Sequence, residues 1–284
     1  PLERFYEDGE VAAAQVYLHS SDDHALAAKY LEATRRYLAL YARLLGPYPY
    51  EKFALVENFW ETGYGMPSFT LLGPAVIRLP FIVHTSYPHE IVHNWWGNGV
   101  YVDYQSGNWS EGLTAYLSDH LLREIKGDGA GYRRDALQKY RNYVDAAEDF
   151  ALVDFVSRHG KVSEAVGYNK TLMLFHMLRQ RLGDDLFVTG LRALYRKHKF
   201  TRTSFADVKA VFETVNGESL QAFFDQWTRR VGAPQLELHG VHTTETAGKF
   251  RLRGRLTQIQ YGEAYSVGVP ILVQTETGVE RSVV

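Results

Sequence analysis

The sequence contains no cysteine and only three methionines among 284 residues. Disulfides and thiolate metal ligands are therefore excluded, and any metal site has to use histidine and carboxylate ligands. The longest apolar stretch, residues 71–83, is interrupted by glycine, proline and arginine, so we predict no transmembrane segment. The chain also lacks a polybasic run, and its formal net charge is −2. We therefore expect no nucleic-acid partner.

The composition, with 45% hydrophobic and 23% charged residues, is that of a globular protein large enough for one or two cores. Helical periodicity ends at Val231-Gly232-Ala233-Pro234, and strand-like alternation follows. We therefore predict one domain over residues 1–234 and a strand-rich, incomplete domain over residues 235–284. The chain begins at Pro1 and ends inside a strand-like run, so we expect a piece of a longer protein. Its compartment and its oligomeric state stay open.

Local patterns predict the elements that precede this break. Residues 11–18 and 52–59 are predicted strands, separated by a helix that a serine at 20 or 21 caps and that ends at Leu45. Phe69–Leu79 is another predicted strand, and a glycine-rich turn over residues 61–67 comes before it. Further helices are predicted over residues 109–125, 132–148, 167–182, 184–198, 204–215 and 218–230.

His89-Glu90-Ile91-Val92-His93 is the most informative pattern in the chain. Two histidines four residues apart lie on one face of a helix, so both imidazoles can reach a single zinc ion. Glu90 is then placed to take a proton from an attacking water molecule. Such a string also arises by chance on exposed helices. The apolar residues around it predict a buried helix instead, where the two histidines need a partner. The pattern therefore predicts a metal-dependent hydrolase.

A catalytic zinc site usually has three protein ligands, so a third ligand has to lie elsewhere in the chain. A histidine six residues after His93 is typical of metzincins, but that position is Gly99. Glu111 opens a predicted helix after a short polar loop, and we predict that it is the third ligand. The alternative for Glu111 is an ordinary first-turn carboxylate that interacts with the helix dipole.

Four segments carry a family resemblance: residues 89–98, 108–112, 166–170 and 224–234. The first three resemble the H-E-x-x-H-x-W-x-G-N, W-x-x-E-G and Y-x-K-G blocks of the gluzincin aminopeptidases, the aminopeptidase N and leukotriene hydrolase family. The fourth resembles the end of the helical lobe of that family. The resemblance covers about residues 25–240. It implies an α+β fold in which a thermolysin-like catalytic domain, a small sheet plus a mostly helical lobe, precedes the beginning of a β-sandwich domain.

The resemblance also implies an activity, a zinc peptidase of the aminopeptidase type with Zn²⁺ as cofactor and a peptide as substrate. It implies that Tyr168, on a helix predicted to start near Gly167, stabilises the oxyanion while Glu90 acts as the general base. The alternative for Tyr168 is a packed tyrosine in a chain that has 19 of them. Asp119 is a candidate for orienting a histidine ligand, although a solvent-facing aspartate fits the pattern equally well.

Two departures from the family pattern are visible. The family places eighteen residues between its second histidine and its glutamate, whereas 17 lie between His93 and Glu111. The connecting loop can absorb this difference, since the helices set the ligand geometry. The exopeptidase signature G-A-M-E-N corresponds here to residues 64–68, where Pro67 replaces the glutamate that holds the substrate's α-amine.

Substrate binding is predicted from the same segment. Its backbone is a candidate for pairing with an extended peptide. Glu61 or Glu57 is a candidate to replace the missing carboxylate, unless both are ordinary strand-end charges. The predicted substrate-binding residues are Glu61, Gly63, Tyr64, Gly65 and Met66. Two alternatives stay open: an endopeptidase or other hydrolase with no preference for a free N-terminus, and a catalytically silent zinc-bearing binding domain.

Overall fold

The computed structural model describes residues 2–61 and 63–284. They divide into two compact units, one ending at Arg230 and the other spanning Val231–Val284. Compactness does not by itself define an independently folding domain, so the predicted division at residue 234 stays a prediction. In the part of the chain that is described, no helix has the length and apolarity that crossing a bilayer requires.

The first unit combines a small sheet with a larger helical part. Its strands are β1 (Glu3–Glu7), β2 (Ala13–Leu18), β3 (Lys52–Glu57), β4 (Gly63–Met66), β5 (Phe69–Leu72), β6 (Tyr101–Val102) and β7 (Arg202–Thr203). Its helices are α1 (His24–Leu45), α2 (Pro74–Arg78), α3 (Ser86–Val92), α4 (Trp109–Ala115), α5 (Leu121–Ile125), α6 (Gly129–Tyr143), α7 (Lys161–Glu164), α8 (Thr171–Leu182), α9 (Asp184–His198), α10 (Phe205–Asn216) and α11 (Gln221–Arg229). The α+β class predicted from the sequence is confirmed.

Two π-helical segments interrupt the helical part. Tyr116–His120 joins α4 to α5, and Ala165–Lys170 joins α7 to α8. Segments of this kind widen a helix by one residue per turn and often occur at functional sites. Both lie on helices that carry predicted site residues.

The five-stranded sheet has the order β1-β2-β3-β5-β4. The pairs β2–β3 and β3–β5 are parallel, whereas β4 runs antiparallel to β5 and forms an edge of the sheet. Along β2, residues 14, 16 and 18 face inward and are fully buried, as the period of two in a strand requires. The edge strand β4 therefore has one side that is free to pair with another extended segment.

Several predicted boundaries are wrong, each for a local reason. Residues 63–66 form a strand and not a turn, because their backbone pairs with β5. The strand predicted to reach Leu79 ends at Leu72, since Gly73-Pro74 begins α2 with proline in its first turn. Helix α1 begins after Asp23, so neither Ser20 nor Ser21 is its cap. The predictions of β2, α9 and the Ser204 cap of α10 are confirmed.

Three tryptophans anchor the helices that carry the metal-binding motif. Trp95, Trp96 and Trp109 are completely buried, and the rings of Trp96 and Trp109 pack edge to face at 6.1 Å. The indole N–H of Trp95 donates to the Gly46 carbonyl oxygen, and that of Trp109 donates to the Thr203 carbonyl oxygen. Burial of each ring contributes at least about 2 kcal/mol, so the ends of α3 and α4 are held by a rigid core.

The second unit is built from strands. β8 (Leu236–Thr246) pairs antiparallel with β9 (Lys249–Gln258), and β10 (Pro270–Thr275) pairs antiparallel with β11 (Gly278–Val283). β8 is longer than the five residues predicted for it, because its register continues past an irregularity between His239 and His242.

Candidate metal centre

Three predicted ligands converge at the end of α3 and the start of α4. His89 Nε2 lies 3.2 Å from His93 Nε2 and 3.5 Å from Glu111 Oε2, and His93 Nε2 lies 3.3 Å from the same oxygen. Among the described residues these three form the group whose donor atoms are close enough to share one metal ion. Glu111 is thus brought beside both histidines despite the shorter connection.

Hydrogen bonds at the Nδ1 atoms fix the orientation and the tautomer of the two imidazole rings. His89 Nδ1 lies 3.0 Å from Asp119 Oδ2, and His93 Nδ1 lies 2.9 Å from the Trp96 carbonyl oxygen. Both partners only accept hydrogen bonds, so each Nδ1 carries a proton, and the Nε2 of each neutral ring presents a lone pair. Asp119 therefore contacts a predicted ligand and does not face solvent alone.

The arrangement fits zinc in both chemistry and size. Two facing lone pairs and a carboxylate 3.2–3.5 Å apart repel one another unless a cation lies between them. Zinc–ligand bonds of about 2.0–2.1 Å in a tetrahedron place neighbouring donors about 3.3 Å apart. The observed separations match that edge length. The residues present therefore fit a zinc ion bound by His89, His93 and Glu111.

The charges around the three donors favour a bound cation as well. Burial alone would lower the pKa of His89, but the hydrogen bonds to Asp119 and Glu111 outweigh it and hold that pKa well above the usual value. The pKa of His93 is raised by Glu111 in the same way, against burial. Burial would raise the pKa of Glu111, but the two histidines lower it well below its usual value. The two histidines of the metal-free site therefore hold protons more tightly than free imidazoles do, at the position where the metal would bind.

Glu90 and the edge strand β4 meet in the same cavity, which has a volume of about 830 Å³. A Cβ atom added to Gly65 would lie 2.5 Å from a Glu90 carboxylate oxygen, so a side chain at position 65 would force the carboxylate of the predicted base to move. Gly63, Tyr64 and Gly65 line the cavity, as does Glu90. Met66, also predicted as a substrate-binding residue, is not among the residues that line it.

Tyr168 lies within a π-helical segment and not at the start of a helix, which corrects the predicted boundary near Gly167. Its ring stacks on the His89 ring at 6.3 Å with an interplanar angle of 15°, and it lines the same cavity. Burial, and then the nearby Glu111 carboxylate, raise the pKa of Tyr168. The side chain is therefore a neutral phenol that can donate a hydrogen bond.

The two carboxylates proposed to replace the missing amine anchor have different surroundings. Glu57 is buried, pairs with Arg78 at 2.5 Å and accepts from the His19 backbone N–H at 2.7 Å. It is not among the cavity-lining residues, so its contacts favour the alternative of an ordinary strand-end charge over an amine anchor. Glu61 is exposed, lines the cavity and accepts from the backbone N–H of residues 75 and 76 at 2.9 and 3.3 Å. A carboxylate has about four lone-pair positions, so two positions on Glu61 have no partner among the described residues.

Asn94 is a buried residue near the site that the sequence did not single out. Its Oδ1 accepts from the Ser68 backbone N–H at 2.8 Å and from the Tyr48 hydroxyl at 3.3 Å. Its Nδ2 donates to the carbonyl oxygens of Glu90 and Ile91, both at 3.2 Å. Asn94 thus ties the turn after β4 to the helix that carries the predicted base. Its only sequence signal is its position between the second histidine and the tryptophan of the motif.

Gly112 explains how the ligand helix fits against its neighbour. A Cβ atom at this position would lie 2.3 Å from Thr171 Cβ, so α4 approaches α8 more closely than any other residue permits. Family spacing would put the glutamate ligand at this position. The close contact shows why Glu111, one residue earlier and facing the histidines, is the carboxylate that meets them.

The sequence and the fold were compared with known proteins. The Peptidase family M1 domain matches residues 82–227. Aminopeptidase 2 of Candida albicans is 26% identical over 205 residues, covering 68% of this chain and 22% of that protein. Aminopeptidase N of Lactococcus lactis is 27% identical over 169 residues, covering 55% of this chain and 19% of that protein. The chain thus spans about a fifth of the length of these curated relatives.

Among solved structures, an M1 zinc metallopeptidase from Deinococcus radiodurans is similar with a TM-score of 0.67 and 20% sequence identity. The similarity covers 83% of this chain and 53% of that chain. It supports the predicted fold of a small sheet with a helical lobe. The family match over residues 82–227, which contain all three predicted ligands, identifies the chain as a member of peptidase family M1.

Proposed function

We propose that this chain provides the catalytic centre of a zinc-dependent peptidase of the aminopeptidase type. The observation that carries the proposal is the set of three donor atoms, spaced 3.2–3.5 Å apart as zinc requires, in one cavity with Glu90. The curated relatives are named as aminopeptidases, which favours this activity over an endopeptidase or a silent binding domain.

The proposed mechanism gives the base and the oxyanion donor to two residues that line the cavity. When bound, zinc polarises the scissile carbonyl and makes the attacking water more acidic. Glu90 takes the proton of that water and passes it to the leaving amine. Tyr168 donates its phenolic hydrogen to the oxyanion that develops on the carbonyl.

Two further groups hold the ligands in position. The Asp119 carboxylate and the Trp96 carbonyl oxygen each accept the Nδ1 proton of a histidine ligand. Each imidazole is thereby kept in the tautomer whose Nε2 is free to bind the metal. Loss of either contact frees a ring to rotate or to present its N–H toward the site.

Substrate binding is proposed at the free edge of β4, where Gly63, Tyr64 and Gly65 face the cavity. An extended peptide can add to this edge as a further strand through main-chain hydrogen bonds. Glu61 is the proposed partner of the substrate's ammonium group, because two of its lone-pair positions are open. A peptide substrate is also consistent with the structure of a mutant of the Deinococcus radiodurans enzyme, which is bound to a Tyr-Ser-Ala substrate.

The test is peptide hydrolysis by the zinc-loaded protein, compared with its Glu90→Gln variant. We expect the variant to bind zinc as the original does and to lose at least about a hundredfold in kcat. Full activity of Glu90→Gln would remove the assignment of the base. A second comparison uses one peptide with a free and with an acetylated N-terminus, and equal rates would favour the endopeptidase alternative.

A further inference from the structure

One wall of the cavity carries a pair of cations that the proposed mechanism does not use. Lys139 on α6 and Arg158, just before α7, line the cavity together with Tyr168. No other lysine or arginine among residues 2–61 and 63–284 lines this cavity. The Arg158 guanidinium lies 5.9 Å from the centre of the Tyr168 ring. A positive charge is thus next to the proposed oxyanion donor.

The pair shares one carboxylate, which leaves one positive charge uncompensated. Glu164 lies 3.5 Å from Lys139 Nζ and 3.5 Å from an Arg158 nitrogen, which is long for either ion pair. The side chains of Lys139 and Arg158 are 51% and 58% exposed, so their donors are accessible to solvent. A guanidinium and an ammonium with open donors are suited to a second carboxylate, which the guanidinium can bind through two parallel hydrogen bonds.

The distance from the metal centre sets the length of the ligand. The His89 and Tyr168 rings are 6.3 Å apart, and Arg158 lies 5.9 Å beyond the latter ring centre, so the guanidinium is no more than about 12 Å from the His89 ring. An extended peptide advances by about 3.3–3.6 Å per residue. A carboxylate at Arg158 therefore lies no more than about three residues beyond the scissile bond.

We propose that Arg158 and Lys139 form a carboxylate-binding subsite, and that the preferred substrates are short peptides with a carboxylate one to three residues after the scissile bond. The carboxylate comes either from the C-terminus of the peptide or from an acidic side chain. This inference rests on the proposed function, because it names the substrate class of the same centre. It gives a role to the positive charges of Lys139 and Arg158, which take no part in metal binding or in the proposed contact of Glu61 with the substrate's ammonium group.

The experiment measures kcat/KM of the zinc-loaded protein for Leu-Gly-Gly, for Leu-Gly-Gly amide and for Leu-Gly-Glu amide. We expect the free acid to be preferred over its amide by about tenfold, the value of one charge-assisted contact. Arg158→Gln reduces this ratio toward one, because it slows cleavage of the acid more than cleavage of the amide. Glu164→Gln, which removes the competing carboxylate, increases the ratio. Leu-Gly-Glu amide tells whether a side-chain carboxylate replaces the terminal one.

The matched control is Arg134→Gln, because Arg134 is an exposed arginine on α6 that does not line the cavity. This variant keeps the ratio of the original protein. An acid-to-amide ratio near one in the original protein, or a ratio unaffected by both Arg158→Gln and Lys139→Gln, overturns the subsite. Failure to cleave any of the three peptides is a different result, since it contradicts the proposed function itself.

Discussion

Ser68 donates its backbone N–H to the side-chain oxygen of Asn94 over 2.8 Å, across 26 residues of sequence. Ser68 follows the edge strand β4 and has a positive φ of 69°, a conformation that non-glycine residues seldom adopt. Asn94 in turn donates to the carbonyl oxygen of Glu90. The edge strand and the proposed base are therefore held at a fixed distance by one fully buried amide.

Asn94→Ala is expected to lower kcat more than it changes zinc content. The substitution leaves the Ser68 N–H unpaired and releases the turn after β4, at a cost of about 1–3 kcal/mol in folding free energy. Because the histidine contacts to Asp119 and Trp96 persist, the metal should stay bound. The measurement combines zinc analysis with kcat and KM for a peptide. Full activity in a folded variant would show that the hydrogen bonds of Asn94 do not position the base.

Asp119→Asn is expected to weaken zinc binding by about 10–100-fold. The amide can accept the His89 Nδ1 proton through its oxygen but provides no negative charge to support the ligand. Competition with a chelator measures the affinity directly. Asp135→Asn, at an exposed position of α6, is the control for the loss of one acidic charge. We expect this variant to bind zinc with the affinity of the original protein. Equal affinities in the two variants would contradict the role of Asp119.

Tyr168→Phe is expected to reduce kcat by about 10²–10³-fold with zinc content unchanged, because it deletes one oxyanion donor and keeps the aromatic packing on His89. Tyr132→Phe is the matched control, since Tyr132 lines the same cavity without a proposed catalytic role. Steady-state kinetics with one peptide at several concentrations separate kcat from KM. Comparable kcat values for the two variants would assign Tyr168 to packing.

Two histidines of the helical part, His120, which is fully buried, and His176, which is half-buried, predict a loss of stability in acid. Burial lowers the pKa of His120 to about 4, and burial together with Arg133 lowers that of His176 to about 3. The unfolded chain binds protons at these residues below about pH 6.5, whereas the folded protein does not bind them until the lower values. Their contribution is therefore complete above about pH 6.5 and is lost as the pH falls toward 4.

The measurement is the free energy of unfolding in urea between pH 7 and pH 4 for the original chain and for His120→Gln. Glutamine keeps an acceptor for Arg133, which lies 2.7 Å from His120 Nε2, and cannot titrate. We expect the original chain to lose on the order of 3 kcal/mol more than the variant over this range. Comparing the two unfolding free energies cancels the contribution of the metal ligands, whose raised pKa values change stability in the opposite direction. Parallel profiles would contradict the prediction.

The sequence by itself determined the chemistry of the metal centre. His89, His93 and Glu111 could be predicted because helical spacing is local and because zinc accepts few ligand types in a chain without cysteine. Glu90 followed from the same five residues. Tyr168 came from the family resemblance alone, since nothing local distinguishes it from other tyrosines. The helices were predicted well where an apolar period was long, as in α9.

Only the tertiary structure decided what surrounds those ligands. Residues 63–66 resemble a turn in sequence and become a strand because β5 lies alongside them. The sequence does not distinguish Glu57 from Glu61. In the structure, however, Glu57 pairs with Arg78, whereas Glu61 lines the cavity. Asn94 and Lys139 acquire their proposed roles from partners 26 and 25 residues away along the chain, and Arg158 acquires its role from its position beside the Tyr168 ring. Ligand type is encoded by local spacing, whereas access, charge and orientation depend on contacts that form only when the chain has folded.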